Sequence, residues 1–286
     1  MNSPLSSKKV AHNHSIAELN ARLRSIPFID ATGLLSQDTH PNRVECRLPF
    51  QPALADRWHP SAFCNGAVLT VLDQMGSVAI WERYGLQFPH ATVSLSASFS
   101  SQCEESALRC TARILSSTDD FCTTFIEVFG EDSRKPVAAA QSIFVMGKYP
   151  GQTDNPSRSN ESTSADDSEF HRFSDLLGYV PGTKGGDIHP SPRTIGSTNP
   201  VALHGGAIAG GISLAATDCT GSLESFRLSH ISIEYLRAGL PLLTGFHPTL
   251  IQRGRSASAL RVDASQKDTT RLIATATARF VNDKNH

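Results

Sequence analysis

The sequence predicts an α+β protein assembled from one unit used twice, each unit a helix followed by four antiparallel strands. Three observations predict it. First, short segments recur in the same order. His59–Val68 lies over Asn199–Ile208 at an offset of 140, Thr92–Ala97 over His230–Tyr235 at 138, and Ile143–Val145 over Arg279–Val281 at 136. Such self-similarity, with a drift of four positions read as connecting-loop differences, marks a duplicated fold. Second, apolar spacing changes in each half from helical to alternating. Third, the stretch 149–169 (YPGQTDNPSRSNESTSADDSE) holds no aliphatic residue larger than Ala165 and divides the two halves. It cannot bury enough surface to offset its ordering entropy, so it reads as a disordered linker.

The elements follow in order. Residues 1–20 read as a flexible tail, 21–148 as the first domain and 170–286 as the second. Arg43–Phe50 is a fair strand. Ala67 to Tyr84 places Ala67, Val68, Val71, Leu72, Met75, Val78 and Ala79 at helical spacing, and Gly85 stops it. Thr92–Phe99 alternates strictly, with Val93, Leu95, Ala97 and Phe99 on one face. Leu108–Ser116, Phe121–Phe129 and Val137–Met146 complete the first half. In the second, a Gly- and Ala-rich helix runs from Ala207 to about Ala216. Strands are expected at His230–Arg237, Gly245–Arg253, Ser256–Ala264 and Leu272–Val281. No convincing strand precedes the second helix.

Composition narrows the function classes. The chain has 286 residues, 26 Lys+Arg against 27 Asp+Glu, and a formal net charge of -1, which argues against a nucleic-acid binder. No apolar run reaches the ~20 residues of a membrane span. The start lacks a secretory core, although its Ser/Lys content leaves a weak transit-peptide signal. Six cysteines show no metal-ligand spacing and read as reduced thiols of a cytoplasmic protein, with no metal or cofactor implied.

Leu203-His204-Gly205-Gly206-Ala207-Ile208-Ala209, followed by His230-Ile231-Ser232-Ile233-Glu234-Tyr235-Leu236-Arg237, resembles the signature of hotdog-fold acyl-CoA thioesterases of the phenylacetate-degradation (PaaI) type. The resemblance implies two tandem hotdog domains, each a long central helix wrapped by antiparallel sheet, joined as an intramolecular pseudo-dimer. In that family His-Gly-Gly opens the helix, a carboxylate follows nine residues after the His, and an Asn stands six before it. The first half has Cys64-Asn65-Gly66 but keeps Asp73 nine residues on. The second keeps His204-Gly205-Gly206 but has Ser213 at the carboxylate position, and its Asn199 is five residues upstream.

The family's site lies between paired units, so the resemblance implies a composite of Asp73, Thr92, Asn199, His204 and Gly205. The opposite site would hold His59, Cys64, Asn65, Ser213 and His230, without a carboxylate. Gly205 would offer a first-turn N–H to the oxyanion. Asp73 would serve as general base or nucleophile, and His204 would orient the turn. Thr92 would hold water, with Asn199 positioning it or assisting the thiolate. By helical geometry Asp73 falls beside Leu69, Gly76 and Ile80, at the margin of the apolar stripe. Arg237, Arg253 and Arg255 are candidate contacts for coenzyme A phosphates. The substrate would be an acyl-CoA or acyl-carrier-protein thioester, and a homodimer of chains is plausible by analogy. Two other classes compete. One is a non-catalytic acyl-thioester-binding scaffold. The other is a hotdog hydratase or dehydratase, for which His59 with Asp73 is the nearest pair.

Overall fold

The computed structural model describes residues 14–40, 43–100, 103–147, 170–183, 185–198, 201–220, 226–266 and 271–282. The expected linker 149–169 and Asn199 lie outside them. The first helix, α1 (Ile16–Arg24), begins within the segment expected to be a tail. Ser15 and Glu18 cap it reciprocally, and its Leu19 and Leu23 are buried. Chain order then runs α2 (Pro27–Thr32), β1 (Leu35–His40), β2 (Arg43–Pro49), α3 (Asn65–Tyr84), β3 (His90–Phe99), β4 (Ala107–Ser117), β5 (Phe121–Gly130) and β6 (Pro136–Met146). It continues α4 (Phe173–Leu177), β7 (Tyr179–Gly182), β8 (Gly185–Ile188), β9 (Ile195–Thr198), β10 (Val201–Leu203), α5 (Gly205–Thr220), β11 (Phe226–Tyr235), β12 (Thr244–Arg253), β13 (Ala257–Gln266) and β14 (Arg271–Asn282).

Among the described residues twelve strands form one antiparallel sheet in the order β1-β2-β4-β5-β6-β3-β11-β14-β13-β12-β8-β7, so each half lists its strands outward from a central β3–β11 seam in the same sequence. At the seam Ser96 faces Ser232. The β3–β6 register breaks between Thr92 and Ser94, and the β11–β14 register between Leu228 and His230. These matching bulges set an offset of 136 across the strands. Thr92 therefore corresponds to Leu228, not to His230, and Phe99 corresponds to Tyr235. The drift from 140 to 136 arises between the helix starts and the bulges, where α3 spans 20 residues and the described part of α5 spans 16.

The missing strand before the second helix is β8, of which Gly186–Ile188 pair with β12. Four residues reading Gly-Gly-Asp-Ile carry no alternation, and Gly185 at φ +124° needs the glycine backbone. The two long helices pack against each other, α3 over β2–β6 and α5 over β8 and β11–β14. Being covered by sheet on one side and by a helix on another, α3 buries 15 of its 20 residues, including Thr70, Asp73 and Gln74. A helix enclosed in this way has no wide polar face.

Small residues set the helix crossing. A Cβ at Gly66 would lie 3.2 Å from Gly210 Cα and 2.6 Å from Phe173 Cε1. At the corresponding contact Thr70 meets Gly206, and the Thr70 hydroxyl lies 3.1 Å from the Gly206 carbonyl. Gly66→Val is expected to lose about 1–3 kcal/mol through overpacking. The check is a lower urea midpoint with an unchanged slope. An unchanged midpoint would show that the crossing yields freely.

Candidate functional site

Two segments distant in sequence meet where the helices cross. Asp73, two turns into α3, lies beside the start of α5, and its carboxylate is 4% exposed with its residue. Thr92, at the β3 bulge, donates from Oγ1 to Asp73 Oδ1 at 2.7 Å. That leaves Oδ2 facing the second half of the chain. A Cβ on Gly205 would sit 2.7 Å from Asp73 Oδ2, so the absence of a side chain there is what lets the carboxylate approach the helix start.

His204 occupies the position before α5. Its Nδ1 accepts the Gly206 N–H at 2.9 Å, and its Nε2 lies 3.0 Å from Gln74 Oε1. This pairing fixes a neutral ring with the proton on Nε2. Burial agrees, since it pushes the imidazole down to about 4. His204 Nδ1 stands 3.7 Å from Asp73 Oδ2, and with the ring uncharged the contact is no ion pair. Phe28 of α2 covers the ring, with centroids 5.4 Å apart.

Burial pushes the Asp73 carboxyl up to about 6, partly opposed by the Thr92 hydroxyl and the Gly206 N–H, which favour the ionised form. The carboxylate is thus charged at neutral pH and a stronger base than a surface aspartate. Tyr235, at the end of β11, donates from its hydroxyl to the Gly205 carbonyl at 3.2 Å. Burial and the Asp73 charge keep that phenol protonated, with its pKa well above 10.

These groups line a cavity of about 260 Å³ that also touches Arg22, Ser77, Trp81 and Arg237. The structure therefore brings together Asp73, Thr92, His204 and Gly205 of the expected set. Of the three arginines only Arg237 lines the cavity, and its Nη1 donates to the Leu272 carbonyl at 2.8 Å. Arg253 and Arg255 sit at the β12–β13 turn and are not among the residues lining either cavity described here. The sheet order places β14 and β13 between β12 and β11, which carries them away. His59 lines a second cavity rather than the one holding Asp73, so the pair considered for hydration chemistry is not assembled.

Sequence reasoning passed over Gln74, Tyr235 and Arg22. Tyr235 lies within the segment His230–Arg237 on which the resemblance rests and could have been named from it. Gln74 carried no signal, because only the helix crossing gives it His204 as a partner. Arg22 stacks on Trp81, 5.1 Å from the ring centre, and reaches the cavity from α1.

The large antiparallel sheet with few helices is the fold of hotdog-type thioesterase structures. The tesB protein of Mycobacterium avium subsp. paratuberculosis superposes with a TM-score of 0.60 at 12% identity, over 94% of this chain and 99% of that one. A candidate thioesterase of Novosphingobium aromaticivorans gives 0.60 at 12% identity, over 86% and 98%. The 12:0-ACP thioesterase of Umbellularia californica gives 0.56 at 9% identity, over 84% and 94%. At the level of sequence, residues 194–281 match the family model of the acyl-CoA thioesterase N-terminal domain. That match contains His204, Gly205 and Tyr235 but not Asp73. No curated protein sequence is a significant match to the chain. Among the described residues no helix is long and apolar enough to cross a membrane.

Proposed function

We propose that the chain is a tandem hotdog thioesterase of the PaaI type. Its halves pair as a pseudo-dimer around one composite site that hydrolyses an acyl-CoA or acyl-carrier thioester. The observation that carries this reading is the meeting of Asp73, whose Oδ2 faces the second half of the chain, and the start of α5 at Gly205. Water attacks the thioester carbonyl carbon while Asp73 Oδ2 takes its proton. Negative charge moves to the carbonyl oxygen, which the Gly205 N–H and the α5 N-terminus receive. Collapse breaks the carbon–sulfur bond, and the departing thiolate takes the proton back from Asp73. Direct attack by Oδ2, giving a mixed anhydride, uses the same geometry. Single turnover in H₂¹⁸O tests for it: water opening the anhydride at Asp73 Cγ leaves label in Asp73 and none in the acid product, whereas the general-base path labels the product alone. His204, held between Gln74 and the Gly206 N–H, is a positioning residue. Arg237 would meet the charged end of the substrate.

The pH profile follows from the buried carboxylate. Asp73 must be ionised to accept a proton, so kcat/KM is expected to fall tenfold per unit below about pH 6 and to be level above it. His204, neutral down to about 4, adds no second step in that range. Thiol release from short, long and aromatic acyl-CoA esters between pH 4.5 and 8.5, roughly the window where both states of the carboxyl are sampled, is the measurement. Thiol release with no break near pH 6 would remove Asp73 as the base. No release from any ester would favour the scaffold reading.

A further inference from the structure

A second cavity, about 470 Å³, lies at the other end of the helix pair, lined from both halves by Cys64, Asn65, Ser213, Leu214, Thr217 and Leu228 among others. By the offsets of 140 and 136 these six positions correspond to His204, Gly205, Asp73, Gln74, Ser77 and Thr92. The cavity is thus the internal counterpart of the candidate site, and each reactive group has been exchanged. Ser213 has no charge, and Leu228 has no hydroxyl. The Cys64 thiol is pushed up to about 12 by burial and stays neutral. Phe99 stands where Tyr235 does in the first site. None of these six positions carries a carboxylate, and the two acids elsewhere in the lining are engaged, Asp56 by the Trp58 and His59 N–H groups and Asp218 by Arg57.

The receptor features remain. The first turn of the 20-residue α3 opens on the cavity at Asn65, with no side-chain cap on its N-terminus. Leu214, Leu228, Phe63, Phe226 and Phe280 form apolar walls. Arg57, Trp58 and His59 stand at the polar side. Arg57 lies 4.7 Å over the Trp58 ring, and Trp58 is 61% exposed. Arg57 is also ion-paired to Asp218 of α5, which in turn accepts the Tyr179 hydroxyl at 3.1 Å. This chain of contacts ties the two halves together beside the cavity. The volume falls in the range of small-molecule sites, roughly 300–1,000 Å³.

We propose that this second cavity binds the acyl thioester without cleaving it. The acyl chain lies against the apolar walls, the carbonyl points to the α3 start, and the charged end meets the Arg57–Trp58 mouth. The inference rests on the thioesterase reading for the ligand class, and its test does not use turnover.

The chain has two tryptophans, and one lines each cavity: Trp81 the first and Trp58 the second. The probe is a ketone analogue of octanoyl-CoA, with a methylene inserted between sulfur and carbonyl so that it cannot be hydrolysed. In Trp81→Phe the remaining Trp58 emission is expected to change saturably with the probe. Thr217→Phe, which fills the cavity from α5, is expected to raise the midpoint at least tenfold in that background. Should Trp81→Phe not fold, the difference between wild type and Trp58→Phe supplies the same signal. A silent Trp58, or a response that Thr217→Phe leaves unaltered, overturns the second site. A Trp58 response in a protein that releases no thiol from any ester supports this site while the catalytic reading fails.

Discussion

Asp73→Asn is expected to lower kcat at least a hundredfold, about 2.7 kcal/mol of transition-state stabilisation, with the fold intact. Asn keeps the volume and can still accept the Thr92 hydroxyl through its Oδ1, but it cannot take a proton. Loss should appear in kcat and kcat/KM together, as it does when a group acts only in the transition state. The same variant makes an opposite prediction for stability. The folded pKa of Asp73 is raised above its unfolded value, so its favourable contribution is present below about pH 4 and lost as pH rises through about 6. At pH 8 the native state carries a buried charge costing roughly 3 kcal/mol for a shift of about two units. Asn carries none. The stability of Asp73→Asn relative to wild type should therefore rise between pH 4 and 6 and then level off. Taking the difference removes the other titrating groups, such as His90, which burial holds down to about 4. Thermal unfolding of both proteins at pH 4.5 and 8, roughly either side of the folded pKa, is the check. An equal deficit for the variant at both would contradict the burial account. Unaltered thiol release would contradict the site.

Gly205→Ala is expected to be nearly as damaging to rate, at about a hundredfold, and far milder on stability. The new methyl would stand 2.7 Å from Asp73 Oδ2, so the carboxylate, though held by the Thr92 hydroxyl, has to turn away while the backbone of both helices stays in place. Swinging away moves the base by the order of an ångström, and misplacement on that scale costs about 10²-fold. Unfolding midpoints within about 1 kcal/mol of wild type beside a collapsed kcat would separate this geometry from a folding defect. Retained activity would mean that the reacting groups are not those at the α5 start. Adding the carboxylate to the other cavity should not rescue turnover. In Asp73→Asn/Ser213→Asp the new acid would lack the hydroxyl, imidazole and phenol partners, since Leu228, Cys64 and Phe99 occupy those places.

Much of this was legible from local pattern. Helical spacing after Gly66 marked α3, and strict alternation marked β3, because burial of one face writes a period into the sequence. The nine-residue step from Cys64 to Asp73 and the His204-Gly205-Gly206 turn marked the halves of the candidate site. The duplicate order of the strands was visible as well, since each copy retains enough apolar positions to align. What local pattern determined, then, was the set of elements and the residue types at two helix starts.

Register and partnership were decided only by the tertiary structure. The sequence alignment put His230 opposite Thr92, whereas the paired bulges put Leu228 there, because strand equivalence is set by ladder hydrogen bonds and not by letter similarity. The short β8 escaped notice because its four residues gain their stability from pairing with β12, and α1 because its buried stripe was two leucines in a polar segment. Gln74 took on a role only when α3 crossed α5 and brought His204 within 3.0 Å of it. A side chain's periodicity shows which way it points along its own element. What stands opposite depends on how two elements pack, which is settled by the close approach of Gly66 to Gly210 and of Thr70 to Gly206.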